Sequence, residues 1–165
     1  MLVRCTKKTL DLLGHTITLT EGAPDDDDWY LNVVRIDRRQ CLLLTHAGTL
    51  FSIFRPRVRV AELRPLGPYL TQAIEAELRA EGLPADTFAE LTPEAWRVAR
   101  TASRSTLGHM TQMAFDVDHT AAQAGGLEPA DIADINHWLR HSLRGRDGGY
   151  SYPIDLIAER LATRP

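Results

Sequence analysis

The stretch from Trp29 to Thr45 leaves this chain the least freedom. WYLNVVRI and QCLLLT are apolar and rich in β-branched and aromatic residues, and the polar DRR between them marks a hairpin turn. Cys41 to Leu44 is apolar without a break, which describes a central strand covered on both faces. After a turn at His46-Ala47-Gly48, Leu50 to Phe54 (LFSIF) completes a three-stranded antiparallel meander at the core of the sheet.

The segments around the meander read as partners for it. Leu2 to Thr6 is β-prone and leads into KKTLDLLG, a short helix stopped at Gly14. Thr16 to Thr20 (TITLT) alternates like a strand, and EGAPDDDD follows as a solvated acidic loop, since four adjacent carboxylates repel one another and lack the interleaved turn residues of a cation loop. Leu66 to Leu83 is an amphipathic helix, with Leu70, Ala73, Ile74, Ala76 and Leu78 inward and Glu75, Glu77, Arg79 and Glu81 outward. Asp86 to Leu91 suggests another short helix, and TPEAW leaves a helix start competing with a strand from Ala95 to Thr101. The helix after Ser105 carries an inward stripe of Leu107, Met110, Ala114, Val117 and Ala121, widened by Met113 and Phe115. Pro129 to Leu143 turns Ile132, Ile135, Trp138, Leu139 and Leu143 inward, and Ile154 to Leu161 forms a last short helix. The class is α+β: an N-terminal antiparallel sheet packed against several C-terminal helices, expected to form one domain over residues 1–165.

Composition narrows the function classes. Nineteen Lys and Arg against twenty-two Asp and Glu give a net charge of −3, so any nucleic-acid contact must be a local patch. No apolar run approaches the roughly 18 residues a membrane helix needs. The expectation is a soluble cytoplasmic protein without a membrane partner, with Cys5 and Cys41 reduced and buried in strands. P-loop, dinucleotide, α/β-hydrolase and thioredoxin signatures are missing, and no cofactor is expected.

Arg97 to Ser105 holds the strongest candidate site. Ser103 and Ser105 are good N-caps, and the partial positive charge of a helix N-terminus beside Arg97, Arg100 and Arg104 suits a phosphate or carboxylate. Arg100, Ser103, Arg104 and Ser105 therefore form the candidate anion site; the plainer reading is a capped helix. Arg55, Arg57 and Arg59 fall on one face of an extended RPRVRV and, with Arg144 and Arg146, extend a possible patch, although edge protection of the sheet explains the first three equally. Tyr150 and Tyr152 could stack bases or anchor the tail.

Two pairs of residues have the spacing of metal ligands. Asp116 and His119 are three apart, and His137 and His141 four apart, which is ligand spacing. HWLRH lacks the Glu of H-E-x-x-H, and the sequence names no third ligand for either pair, so no metal is assigned.

In order along the chain, MLVRCTKK, the Trp29 strand leading to DRRQCLLL, TLFSIF, SRSTLGHM and YSYP resemble an uncharacterised bacterial family of small single-domain proteins, a domain of unknown function. SRSTLGHM is similar to that family's SRSVLG-like segment followed by Met, with His109 and Thr111 departing from it. The resemblance implies a strand before Ser103 and supplies no catalytic residue. The reading is a non-enzymatic binding or regulatory protein for an anionic ligand: nucleic acid, nucleotide or an acidic protein surface. The alternatives are a small hydrolase or nuclease using His109, Asp116 or His137 near the same arginines, and a module that covers a partner protein.

Overall fold

In a computed structural model, residues 1–14, 17–146 and 148–163 are described. The meander is present: β2 (Trp29–Ile36), β3 (Arg39–His46) and β4 (Ser52–Arg55) pair antiparallel in sequence order. Asp37 and Arg38 turn the first hairpin with φ of 48° and 58°, the left-handed pair that matches strand twist. The sheet then continues on the other side. β1 (Leu2–Cys5) lies parallel to β2, and β5 (Arg97–Arg100) lies parallel to β1, giving a mixed sheet of order β4-β3-β2-β1-β5. The strand expected before Ser103 is thus the sheet's far edge. Pro93–Ala95 forms a 3-10 turn just ahead of it, so both competing readings of TPEAW hold in succession.

Helices cover both faces, which is why β3 is buried from Cys41 to His46. On one face Trp29, Leu31, Leu42, Leu44 and Ile53 pack with residues of α1 (Lys7–Leu13), α2 (Leu66–Ala80) and α5 (Pro153–Ala162). On the other, Tyr30, Ile36, Cys41, Leu43 and Phe54 meet Met110, Met113, Val117 and Ala121 of α3 (Arg104–Gln123) and Ile135 and Leu139 of α4 (Ile132–His141). β6 (Arg144–Arg146) and β7 (Gly149–Ser151) form a small separate hairpin. No helix of the described residues is long and apolar enough to cross a membrane.

Several elements differ from the sequence reading for identifiable reasons. Thr16 lies outside the described residues, and of the rest of TITLT only Leu19 makes an isolated bridge, to Val98. Residues 86–91 form turns instead of a helix. RPRVRV leaves the sheet at Arg55: Pro56 lacks a donor, Arg57 takes φ 55°, and Val60–Leu63 coils into a 3-10 turn. Phe115 is 69% exposed, and Trp138 and Leu143 also face outward. On α4 the buried face is rotated toward Asn136 and Arg140, because both reach polar partners below the helix. Those partners include Glu77 and Glu81, expected on the wet face of α2 and buried instead beneath α4. Asp28 likewise leaves solvent for the interior, where it pairs with Arg4.

Candidate functional site

Ser103 caps α3. Its extended backbone ends the approach from β5, and its Oγ accepts hydrogen bonds from Thr106 N at 3.2 Å and Thr106 Oγ1 at 3.0 Å. Leu107 N is taken by the Ser103 carbonyl, which leaves the Arg104 and Ser105 N–H groups outside the helix's own bonds. In front of this end lies a cavity of about 380 Å³. It is lined by Ser103, Ser105, Thr106 and His109 at the helix start, by Pro24, Asp25 and Asp26 of the acidic loop, and by Tyr30, Ala47 and Leu50 of the sheet and its turn.

Tyr30 is the unexpected member. It is fully buried at 0% exposure; its O–H finds no acceptor, and the Ala102 and Ser103 N–H groups approach its oxygen without completing a hydrogen bond. Burial and the Asp28 charge push its pKa up, while the Arg4 guanidinium and the backbone N–H groups of Ser103 and Ala102 pull the other way; the net rise keeps the phenol protonated, a donor at neutral pH. The β2 alternation that sends Trp29 and Leu31 to the opposite core points Tyr30 toward α3.

The cavity's acidic wall is held by a buried arginine. Arg4 Nε donates to Asp28 Oδ2 at 2.5 Å, and its Nη atoms bond the carbonyls of Arg100, Gly22 and Ala23 at 3.2, 3.1 and 2.6 Å. Asp28 Oδ2 also accepts from Asp25 N at 2.9 Å. One guanidinium therefore joins β1, the end of β5 and the acidic loop.

The expected site residues come together only in part. Ser103 and Ser105 line the cavity, whereas Arg100 lines a neighbouring one of about 480 Å³ that shares Ala102 with it. Arg104 is exposed at the helix start, and neither Arg100 nor Arg104 is ion-paired among the described residues. The outlying arginines are dispersed. Arg55 pairs with Glu77 at 3.0 Å, Arg57 with Glu128, and Arg59 N bonds Glu62 at 3.0 Å. Arg144 pairs with Asp116 at 2.9 Å and lies over the Trp138 ring, while the side chain of Arg146 lies outside the described residues. Tyr150 is 77% exposed, so it does not anchor the tail.

A second polar cluster sits between α2 and α4. Arg140, almost wholly buried, donates from Nε to Glu81 Oε1 at 2.8 Å, with its Nη2 in ion-pair contact with the same oxygen at 2.8 Å, and donates from Nη1 to Glu77 Oε2 at 2.8 Å. His137 Nδ1 lies 3.2 Å from Glu81 Oε1, and His141 Nε2 lies 2.9 Å from Oε2. Burial pushes the Glu81 carboxyl up, but bonds with His141, the Arg140 charge and His137 outweigh it and hold its pKa below the usual range. Among the described residues this is the group with metal-ligand potential. Glu81 was not legible as a partner of the histidine pair in the sequence because it lies 56 and 60 residues away, just after α2.

Residues 2–156 match the family described as domain of unknown function DUF6933, so the chain belongs to that family. None of the curated proteins matches it.

Proposed function

We propose that this protein is a non-enzymatic binding protein for a small molecule with an oxyanion head, seated in the cavity at the start of α3. The unpartnered Tyr30 hydroxyl carries this reading: a buried donor without a partner is costly, and a ligand oxygen would satisfy it. The N-terminus of a 20-residue helix supplies partial positive charge and free N–H groups beside it. Asp25 and Asp26 line the same cavity, which suits a ligand that carries a donor or cationic group as well as its acid. A continuous phosphate backbone fits poorly, because the same carboxylates would repel it; a nucleotide, or an amino acid held by both ends, suits the cavity better than nucleic acid. The SRSTLGHM segment places Ser103, Ser105 and His109 in the lining of this cavity, which fits a binding role for that segment. The hydrolase alternative has less behind it, since His109 lines the cavity, Asp116 is engaged by Arg144, and His137 is engaged by Glu81.

Calorimetric titration with inorganic phosphate, AMP and a panel of free amino acids tests the proposal. At least one probe should saturate one site, with affinity falling as salt rises and weakened about tenfold by Tyr30→Phe, the value of a hydrogen bond to a charged oxygen. Arg104→Ala should weaken it less and flatten the salt dependence. No saturable binding by any probe, or unchanged affinity in Tyr30→Phe, overturns the reading.

A further inference from the structure

We infer that Glu81, His137 and His141 form a binding site for a divalent transition ion of the zinc class, where the C-terminal ends of α2 and α4 meet. The two imidazoles converge on one carboxylate, and all three donor atoms lie within 4.8 Å of one another. A tetrahedral zinc ion with bonds of about 2.1 Å separates its ligands by roughly 3.4 Å. His141 Nε2 lies 2.9 Å from Oε2, about half an ångström short of that, and His137 Nδ1, now 3.2 Å from Oε1, has to swing from that oxygen toward Oε2; both groups that must move are exposed histidines.

The histidines are already arranged side by side. Their rings stack with centroids 3.9 Å apart and planes 26° from parallel, one turn apart on α4, and bring His137 Nδ1 and His141 Nε2 to the same carboxylate; in-plane coordination of one ion needs the rings to turn out of this stack. The carboxylate is fixed as well. Arg140 holds Oε1 through one hydrogen bond and one ion-pair contact, each of 2.8 Å, leaving Oε2 to serve the ion, and Glu77 at 2.8 Å offsets the arginine's charge. Glu81 follows the last turn of α2, where Gly82 takes φ 67°, and His141 is the last residue of α4. Both helix ends carry partial negative charge, which favours a cation.

Two imidazoles and one carboxylate select zinc and its neighbours over magnesium or calcium, which prefer all-oxygen shells. Three protein ligands leave a fourth position, and the His137 side chain, 62% exposed, places it toward solvent. The ion pins α2 to α4 and keeps one site for water or an external donor.

The test is titration of the chelator-treated full chain with zinc chloride and, separately, magnesium chloride. One zinc per chain should bind, magnesium should not, and the melting temperature should climb with zinc concentration. His137→Ala, His141→Ala and Glu81→Gln should each weaken zinc binding by more than the roughly 10- to 100-fold that loss of an outer-shell partner causes. Wild-type zinc affinity in Glu81→Gln reduces the site to an exposed histidine pair and overturns the inference, as does no saturable zinc binding. If Glu81→Gln does not fold, cobalt(II) bound to the wild-type chain decides: strong visible absorption of a tetrahedral centre supports the three-ligand site, and weak octahedral absorption overturns it.

Discussion

Tyr30 is a single side chain that carries both a packing role and a polar cost. Its ring contributes to the α3 core, but its hydroxyl, beside Arg4, Asp28 and the Ala102–Ser103 backbone, finds no acceptor, and such a buried group destabilises by about 1–3 kcal/mol. Tyr30→Phe keeps the ring and removes the orphan. The ligand-free variant should therefore be more stable than the parent by about 1 kcal/mol, seen as a higher urea midpoint at unchanged slope. A lower midpoint would mean that the hydroxyl is bonded in the free protein, and the binding proposal would lose its main support. None of this is legible in WYLNVVRI, where Tyr30 is simply a β-prone aromatic. The same holds for Arg4 and Glu81: their partners lie 24 and 59 residues away, and one-dimensional spacing carries no trace of them. Ser103 was legible because its cap acts on Thr106, three residues on.

Among the elements, the long periodic helices and the meander could be read directly, since their signals repeat every three to four or every two residues. The parallel pairing of β1 with β2 and β5 could not, because it depends on how α1 and the long central segment return the chain to the sheet. The docking of α4 was misread in a more instructive way. β4 is an edge strand, and Asn136 covers its open side: Phe54 N donates to Asn136 Oδ1 at 2.6 Å, and Asn136 Nδ2 donates to Phe54 O at 3.1 Å. A carboxamide here completes the ladder as a neighbouring strand would, which blunts the edge. Hydrophobic periodicity discounts Asn136 and Arg140 as polar and so turns α4 toward Trp138. Asn136→Ala should destabilise the protein by about 2–4 kcal/mol, because it strands both buried backbone groups of Phe54. Chemical denaturation measures this directly; a loss below about 1 kcal/mol would show that packing alone docks α4. Turns and departures from regular strands, such as the one at Arg57, were lost because a left-handed arginine leaves no compositional mark.

At the scale of the molecule, the two apolar cores share one sheet, with alternate residues of β2 and β3 feeding opposite faces. Neither core can be lost without exposing the back of the strands that form the other, so the chain should unfold in one cooperative step, as the expectation of one domain requires. The two cysteines report on this independently. Cys5 belongs to the core of α1 and α2, and Cys41 to the core of α3. Burial pushes the Cys5 thiol up to about 12 and raises that of Cys41 as well, so neither offers appreciable thiolate at pH 8 while folded. For Cys5 the folded state holds its proton more tightly than the unfolded chain, whose thiol ionises near 9.0. Its contribution to stability is complete below that value and is lost as pH rises toward about 12. Thiol labelling at pH 8 across a urea series, on Cys5→Ser and Cys41→Ser variants, should give for each remaining cysteine the same midpoint as that variant's circular dichroism. Labelling of one cysteine well before its variant's dichroism changes would show that its helical layer opens alone, leaving the sheet covered on a single face.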